Sequence, residues 1–173
     1  MPSLKTLLLL LLPCGWQSSR QDVSSDGITL HLRATRKTAL CPECLKRSKS
    51  VHSCRRRRIQ HLPCSGQALW LVFAIRHWYC HNPACSRKIF SESLVPFAGS
   101  RQQSSQALQN LQRQLGLIAG GEAGRRAATP AGLRSSADTL LRRVINTRRR
   151  DRQAHPMLVS TSERGIGATV TAR

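Results

Sequence analysis

The sequence predicts a small α+β fold in which a β-hairpin closed by four cysteines precedes a module of three helices. The hairpin is predicted because C-x2-C at Cys41 and Cys44 and C-x4-C at Cys80 and Cys85 enclose two extended segments. The helices are predicted because apolar residues after position 101 recur at three- and four-residue steps. With 4% aromatic and 40% hydrophobic residues in a chain of 173, small modules are expected rather than one large core.

The four cysteines fit a structural zinc site. Each motif is a short, proline-containing turn that brings two sulfurs to one point, and four thiolates meet the tetrahedral preference of Zn²⁺. We therefore expect Zn²⁺ to staple the open end of the hairpin and to supply much of its folding free energy. Nearby side chains that are alternative ligands are His52, Cys54, Cys64 and His81.

Three segments around this site read as strands. Residues 50–62 and 68–79 are extended, with a turn at 63–66 between them. Residues 27–34 alternate apolar and polar side chains, as expected of a half-buried strand. Residues that flank the second cysteine motif and are expected to pack over the sulfurs are Trp78, Tyr79, Ile89 and Phe90.

Three helices are predicted downstream. The first carries an apolar stripe formed by Leu108, Leu111, Leu115 and Ile118 and ends at Gly120-Gly121. The second runs from Glu122 to Thr129, and Pro130 ends it. The third runs from Ala137 to about Arg148 after a capping box at 135–138. Its predicted buried stripe consists of Ala137, Leu140, Leu141, Val144 and Ile145.

The opposite face of the third helix has the side chains of a DNA-recognition helix. Arginine suits guanine edges or phosphates, and asparagine suits adenine. The predicted DNA-binding residues on this face are Arg142, Asn146, Arg149 and Arg150. A solvated cationic face is the alternative interpretation of the same pattern, and the cysteine motifs favour DNA binding over it.

Charge predicts a polyanionic partner. The chain has 28 Lys and Arg against 8 Asp and Glu, a formal net charge of +20, so binding to nucleic acid should depend strongly on salt. The residues expected to grip phosphates near the zinc unit are Lys46, Arg47, Lys49, Arg55, Arg56, Arg57 and Arg58. No membrane partner is expected, because no stretch reaches the ~18 apolar residues of a spanning helix.

Four regions are predicted along the chain: 1–25, a leucine segment followed by a polar linker at 17–25; 26–92, the zinc module; 101–150, the helical module; and 151–173, a disordered tail. The leucines at 7–12 are expected to pack on the zinc unit, although they also resemble a short signal-peptide core. Seven cysteines are an odd number, which favours a reducing cytoplasm over a disulfide framework.

Many residues beside the cysteines carry a resemblance. The main groups are Thr29-Leu30-His31-Leu32, Cys41-Pro42-Glu43-Cys44, Asn82-Pro83-Ala84-Cys85, Gly120-Gly121-Glu122-Ala123-Gly124 and Asp138-Thr139-Leu140-Leu141-Arg142. Over about residues 26–147 the chain resembles the N-terminal zinc finger and helix-turn-helix of bacterial insertion-sequence transposases of the ISL-three family. The resemblance implies binding to the element's terminal inverted repeats in double-stranded DNA. In complete family members it also implies a later ribonuclease-H-like domain with a DDE carboxylate triad.

A non-enzyme is expected from this sequence. The eight acids are scattered, and Glu163 is the only one after Arg152, so no scaffold for paired Mg²⁺ ions is predicted. Arg55, His61 and Cys64 stand where the family favours an aromatic residue, an acid and a tryptophan. We expect a decayed copy whose residues 155–173 are translated out of frame. A truncated regulator that competes with active transposase is the alternative.

Other functions stay open at this point. A zinc-ribbon transcription or RNA-binding factor fits the same chemistry, and its substrate would distinguish it. A secreted cationic disulfide protein is a further alternative, which free-thiol counting with and without a chelator would test. If the chain is part of a transposase, its expected location is cytoplasmic and nucleoid-associated. Its expected protein partner is a second copy of itself or a full-length transposase.

Overall fold

The computed structural model describes residues 12–154, with side chains described up to residue 147. The elements in chain order are β1 (Trp16–Ser24), β2 (Gly27–Ala34), β3 (Ala39–Leu40), β4 (Arg47–Ser48), β5 (Val51–Cys64), β6 (Gln67–Tyr79), β7 (Ile89–Ser91), α1 (Gln106–Ala119), α2 (Glu122–Ala128) and α3 (Ala137–Ala154). The predicted small α+β class agrees with this arrangement.

The long β5–β6 hairpin is part of a five-stranded mixed sheet, not a two-stranded unit standing alone. The strand order is β1-β2-β6-β5, with β7 also paired to β6. Strands β1 and β2 are antiparallel, whereas β2 runs parallel to β6. Strands β3 and β4 form a separate small ladder beside the first cysteine motif.

Residues 17–25, expected to be a polar linker, mostly belong to strand β1. This expectation was wrong because β1 is an edge strand whose backbone pairs with β2 while its side chains stay largely exposed. Trp16 is its only buried residue, and its ring meets Phe73 edge-on at 4.9 Å. Without apolar alternation, such a strand gives no periodic signal in the sequence.

One face of the sheet carries the main hydrophobic core. Its buried residues alternate along β2 as predicted, with Leu30 and Leu32 facing inward, and residues 69, 71, 73 and 75 of β6 lie on the same face. The segment after β7 covers this face, because Leu94 and Ala98 are buried in the same cluster and Phe97 packs against it. Leu12 also packs there, whereas the rest of the leucine segment lies outside the described residues.

The helices pack at the turn end of the hairpin, far along the strands from the cysteines. Leu62 of β5 packs against a cluster formed by Leu108, Ala128 and Leu133. Gly132, at φ +80°, lies against the hairpin turn, where an added Cβ would stand 2.5 Å from the carbonyl carbon of Gly66. Only glycine fits this contact, so the helical region and the hairpin turn are tightly joined.

Both long helices begin at serine caps. Ser105 accepts a hydrogen bond from the Leu108 amide at 3.2 Å, and its hydroxyl also meets the buried His61 ring at 2.8 Å. Burial lowers the pKa of His61. Ser136 caps α3 by accepting from the Thr139 amide at 3.1 Å, so the cap falls one residue later than a box pairing Ser135 with Asp138 would place it.

The predicted buried stripe of α3 is partly wrong. Leu140 is fully buried, but Leu141 is 45% and Ile145 is 50% exposed. Arg143 takes the inward position instead, donating hydrogen bonds to Ser104 and to side-chain oxygens of Gln109 and Gln112. The buried face of α3 therefore includes a polar residue, Arg143, and differs in orientation from the face that hydrophobicity alone predicts.

Two further predictions concern the end of α3 and the residues that follow it. Helix α3 continues to Ala154, beyond the predicted end near Arg148, so residues 151–154 are helical and not part of a disordered tail as predicted. Residues 155–173 lie outside the described part of the chain. The division into modules at 26–92 and 101–150 stays a prediction. Within residues 12–154, no helix is long and apolar enough to cross a membrane.

Candidate zinc centre and basic surfaces

The first cysteine motif is a tight turn between β3 and β4. The Leu45 amide donates to the Cys41 carbonyl at 3.0 Å, and the Cys41 amide donates to the Lys46 carbonyl at 3.0 Å. Leu45 closes the turn with a left-handed φ of 56°. These bonds fold the chain back on itself, so both cysteine side chains point to the same side of the turn.

The second motif folds in the same way at the end of β6. The Cys85 amide donates to the Asn82 carbonyl at 3.1 Å, and the Cys80 amide donates to the Lys88 carbonyl at 2.8 Å. Because β5 and β6 run antiparallel, the residues just before β5 and just after β6 meet at one end of the sheet. The hairpin thus brings together two motifs that are far apart in sequence.

The four sulfurs are arranged as a metal site requires. The side chains of Cys41, Cys44, Cys80 and Cys85 lie with their sulfurs within 4.8 Å of one another. The Cys41–Cys85 and Cys44–Cys80 sulfur pairs are 3.9 and 3.5 Å apart. A tetrahedral Zn²⁺ with ~2.3 Å bonds needs sulfurs about 3.8 Å apart. The site therefore fits Zn²⁺, and its thiols are free cysteines.

The thiols differ in how easily they ionise. The Lys46 backbone amide lowers the pKa of Cys44 to about 6, whereas burial raises the pKa of Cys85 to about 12. Zinc binds thiolates, so the metal must displace a proton from the more buried sulfur. Its charge offsets the cost of burying several thiolates together.

Polar side chains link the two motifs. Glu43 accepts from the Ser86 hydroxyl at 2.7 Å and from the Arg87 guanidinium at 2.9 Å, and these contacts lower its pKa. Lys46 donates to the Asn82 side chain at 3.2 Å. The sequence reasoning did not assign Glu43 or Asn82 a role. Their position inside the two cysteine motifs is the feature of the sequence that could have indicated this linking role.

Two of the four residues expected to pack over the sulfurs do so. Trp78 and Phe90 are buried in one cluster with Cys41, Cys80 and Cys85. Tyr79 and Ile89 are 41% and 42% exposed, which contradicts the prediction for them. They alternate with Trp78 and Phe90 on paired strands, so they point to the other face of the β6–β7 ladder.

The alternative ligands His52, Cys54, Cys64 and His81 do not belong to the cluster of four sulfurs. The His52 ring packs edge-on against Tyr79 with centroids 4.9 Å apart, and Cys64 lies at the opposite end of the hairpin. Cys54 is exposed on β5. Among the described residues, the four motif cysteines are the cluster able to hold a metal ion.

The predicted phosphate-binding residues fall on two surfaces. Lys46, Arg47 and Lys49 are exposed beside the cysteine turns. The four consecutive arginines of β5 alternate between the sheet faces, so Arg56 and Arg58 point away from the face that carries the core. The alternation follows from strand geometry and means that a run of arginines in sequence is not one patch in space.

Arg57 differs from its neighbours. It is half-buried, and its guanidinium donates to the carbonyl of Gly99 and, at 2.6 Å, to that of Gln102. Burial lowers its pKa. Its predicted phosphate contact stays a prediction, but the structure gives it a second role of holding the 99–102 segment against β5.

The predicted recognition face of α3 lies along a groove. Arg142 and Asn146 line it together with Arg134 and Trp70. Arg142 is exposed and donates to Asp138 one turn earlier on the helix. Arg149 and Arg150 lie further along α3, where side chains are not described. Arg134 was missed by the sequence reasoning, although it comes just before the serine cap of the helix.

The connection between α2 and α3 is longer than in a standard helix-turn-helix. It spans residues 129–136, whereas the motif ordinarily has a turn of about 3–4 residues. The helix-turn-helix assignment therefore stays a prediction.

One family comparison bears on the chain. Residues 37–85 match the family described as zinc-finger of transposase IS204/IS1001/IS1096/IS1165, which covers less than a third of the 173 residues. The match includes all four cysteines and the whole hairpin between them. Neither a curated protein nor a solved structure matches the chain. The chain thus carries the zinc-binding, non-catalytic domain of such transposases, with Zn²⁺ as its cofactor.

Proposed function

We propose that this chain binds the terminal inverted repeats of an insertion element, as the non-catalytic, DNA-binding part of a transposase. The observation that carries the proposal is the α3 groove, where Arg142 and Asn146 are exposed beside Arg134. Arginine and asparagine are the side chains that make bidentate contacts to guanine and adenine in the major groove.

Charge and family support the same proposal. A net charge of +20 supplies the sequence-independent attraction to DNA on which base recognition is built. The zinc-finger match links residues 37–85 to transposases. The wider resemblance over residues 26–147 implies that the target is the terminal repeats of the element. On this proposal the chain acts in the cytoplasm at the chromosome, with a second copy or a full-length transposase at the other end of the element.

Binding-site selection tests the proposal without knowing the target. The zinc-loaded chain is incubated with a library of randomised duplexes, and the retained sequences are compared with the DNA flanking its gene. We expect one consensus that recurs, inverted, at both sides of the gene. Arg142→Ala should lose preference at one or two positions of that consensus, at about 1–3 kcal/mol per position.

Arg126→Ala is the matched control. Arg126, like Arg142, is an exposed helical arginine paired with an acid four residues earlier, Glu122 in this case. It does not line the α3 groove, so we expect the consensus to stay the same. Retention of no consensus from the duplex library, with tight binding to an RNA library instead, would favour the RNA-binding alternative and overturn the proposal.

A further inference from the structure

The sheet has a second face that no described helix covers. Along β6, residues 70, 72, 74 and 76 are only half-buried, whereas residues 69, 71, 73 and 75 between them are buried in the core. The same alternation occurs on β2, where His31 is half-buried and Arg33 is exposed. This open face extends across β2, β6 and β5, and of the four consecutive arginines of β5 it includes Arg56 and Arg58, which point away from the core.

The register aligns side chains on this face in rows across three strands. Ala74 of β6 pairs with Arg33 on β2 and with Arg56 on β5. One step along, Val72 pairs with His31 on β2 and with Arg58 on β5. The central strand therefore contributes small side chains, and both neighbours contribute basic ones.

The result is a trough, formed by Val72 and Ala74 as its floor and by His31, Arg33, Arg56 and Arg58 as its two sides. Neighbouring strands are about 4.8 Å apart, so the Cα atoms of the two sides are about 10 Å apart. Arg33, Arg56 and Arg58 are exposed, and none forms a salt bridge within the described part of the chain. The nearby acid Asp22 is already engaged by Arg20 and His31.

The trough leads to the α3 groove. At its end, Trp70 pairs with Gln60 in the next row along β6, and both residues also line the groove that holds Arg134, Arg142 and Asn146. From Trp70 to Arg76 the strand rises about 20 Å, which matches about six base-pair steps of duplex DNA. One continuous basic path thus runs from the open sheet face to the predicted recognition helix.

We infer that this trough grips the sugar–phosphate backbone of the same duplex whose bases face α3, a step that rests on the proposed function. Guanidinium groups on both sides suit phosphates, which position a protein on DNA without reading its sequence. Base stacking on a single strand fits less well, because the Arg58 guanidinium already lies over the Trp70 ring at 4.0 Å from its centroid.

The test measures the affinity of the full zinc-loaded chain for a labelled 30-base-pair duplex of random sequence over a range of salt. Arg33→Gln with Arg56→Gln should weaken binding about tenfold to a hundredfold at ~0.1 M salt and reduce the log–log salt slope by about two. Lys37→Gln with Arg101→Gln removes the same charge outside the trough and the α3 groove. This control should stay within about threefold of wild type in affinity.

A second pair of variants tests the floor without removing an arginine. Ala74→Glu places a negative charge between Arg33 and Arg56, and Ala74→Gln places a neutral side chain of the same shape there. The glutamate variant should bind duplex at least about tenfold more weakly than the glutamine variant. Circular dichroism and zinc stoichiometry check that both fold.

The outcomes separate the two proposals. If the wild type binds duplex and Arg142→Ala alters base preference while both trough tests leave affinity and slope unchanged, the trough is refuted and the proposed function stands. If the wild type binds no duplex, the proposed function fails and the trough with it. Trough variants that lose only single-stranded DNA, or only vesicles containing phosphatidylserine, would also overturn the inference.

Discussion

At one end of the β5–β6 hairpin the buried cluster consists of three cysteines, Trp78 and Phe90. At the other end it consists of aliphatic side chains from α1, α2 and the loop after α2, with Leu62 packed against them. The cysteine end has only two large apolar residues in its cluster, too few to fold two turns and a two-residue ladder on their own. The helix end packs leucines from several elements around closely approaching glycines. The first region therefore depends on its metal and the second on its packing.

The largest effect we expect is that zinc removal unfolds the cysteine end alone. Structural zinc contributes about 10–16 kcal/mol of apparent binding free energy in small zinc-finger peptides. At the cysteine end of this chain, few apolar contacts add to that stabilisation. In hydrogen exchange measured by mass spectrometry, a chelator should remove protection from residues 39–48 and 80–91. Residues 106–128 should keep theirs.

Cys80→Ser should reproduce the effect of the chelator, and Cys54→Ser, at an exposed cysteine outside the cluster, should not. If both ends lose protection together, the hairpin transmits the metal's stabilisation along its whole length and the comparison fails.

The helix end should respond to a cavity instead. Leu140 is fully buried against Gly116 and Gly124 of the neighbouring helices. Leu140→Ala should lower the free energy of unfolding by about 2–5 kcal/mol in urea titration, with zinc still bound. Leu141→Ala, one residue along at a position that is 45% exposed, should cost less than about 1 kcal/mol.

Equal losses of unfolding free energy from Leu140→Ala and Leu141→Ala would mean that both leucines are buried, as the hydrophobic pattern of α3 predicted. In that case the inward position of Arg143 would be wrong, and the groove that places Arg142 and Asn146 together would be wrong with it.

Between the two ends, Arg57 ties the 99–102 segment to β5 by two hydrogen bonds to carbonyl groups. Arg57→Ala leaves those carbonyls without their donor, so we expect a loss of about 1–3 kcal/mol in unfolding free energy. Arg55→Ala, on the same strand at an exposed position, should change it by at most about 0.5 kcal/mol. A larger stability loss from Arg55 than from Arg57 would contradict the structural role.

The two regions also differ in how much of them the sequence could predict. The cysteine spacing predicted the zinc cluster, because a four-sulfur site needs two short turns and the turns are local. Strand alternation predicted the core face of β2 for a similar reason, since burial repeats every second residue. Glycine and proline predicted the ends of α1 and α2, whereas α3 continues past its predicted end near Arg148 to Ala154.

The parts that sequence patterns missed depend on contacts between distant segments. Strand β1 is polar and is held by backbone pairing, which leaves no periodic trace. The parallel pairing of β2 with β6 places Arg33 beside Ala74, forty-one positions later, and no local pattern encodes that register. Arg143 faces inward because Gln109, Gln112 and Ser104 accept its hydrogen bonds and so offset the cost of burying its charge. The spacing of apolar residues along the helix does not show these contacts.

The smallest effect we expect concerns the first cysteine turn. Leu45 adopts a left-handed φ of 56° although its side chain is 71% exposed, so its side chain strains the backbone without packing in return. Leu45→Gly should remove that strain and stabilise the zinc-bound chain by about 0.5–1 kcal/mol, after allowance for the greater freedom of glycine in the unfolded state. Leu45→Ala keeps the Cβ and should leave stability within about 0.5 kcal/mol of wild type. Urea unfolding in saturating zinc measures both variants. Stabilisation by alanine as large as that by glycine would trace the cost to the exposed leucine side chain rather than to the backbone of the turn.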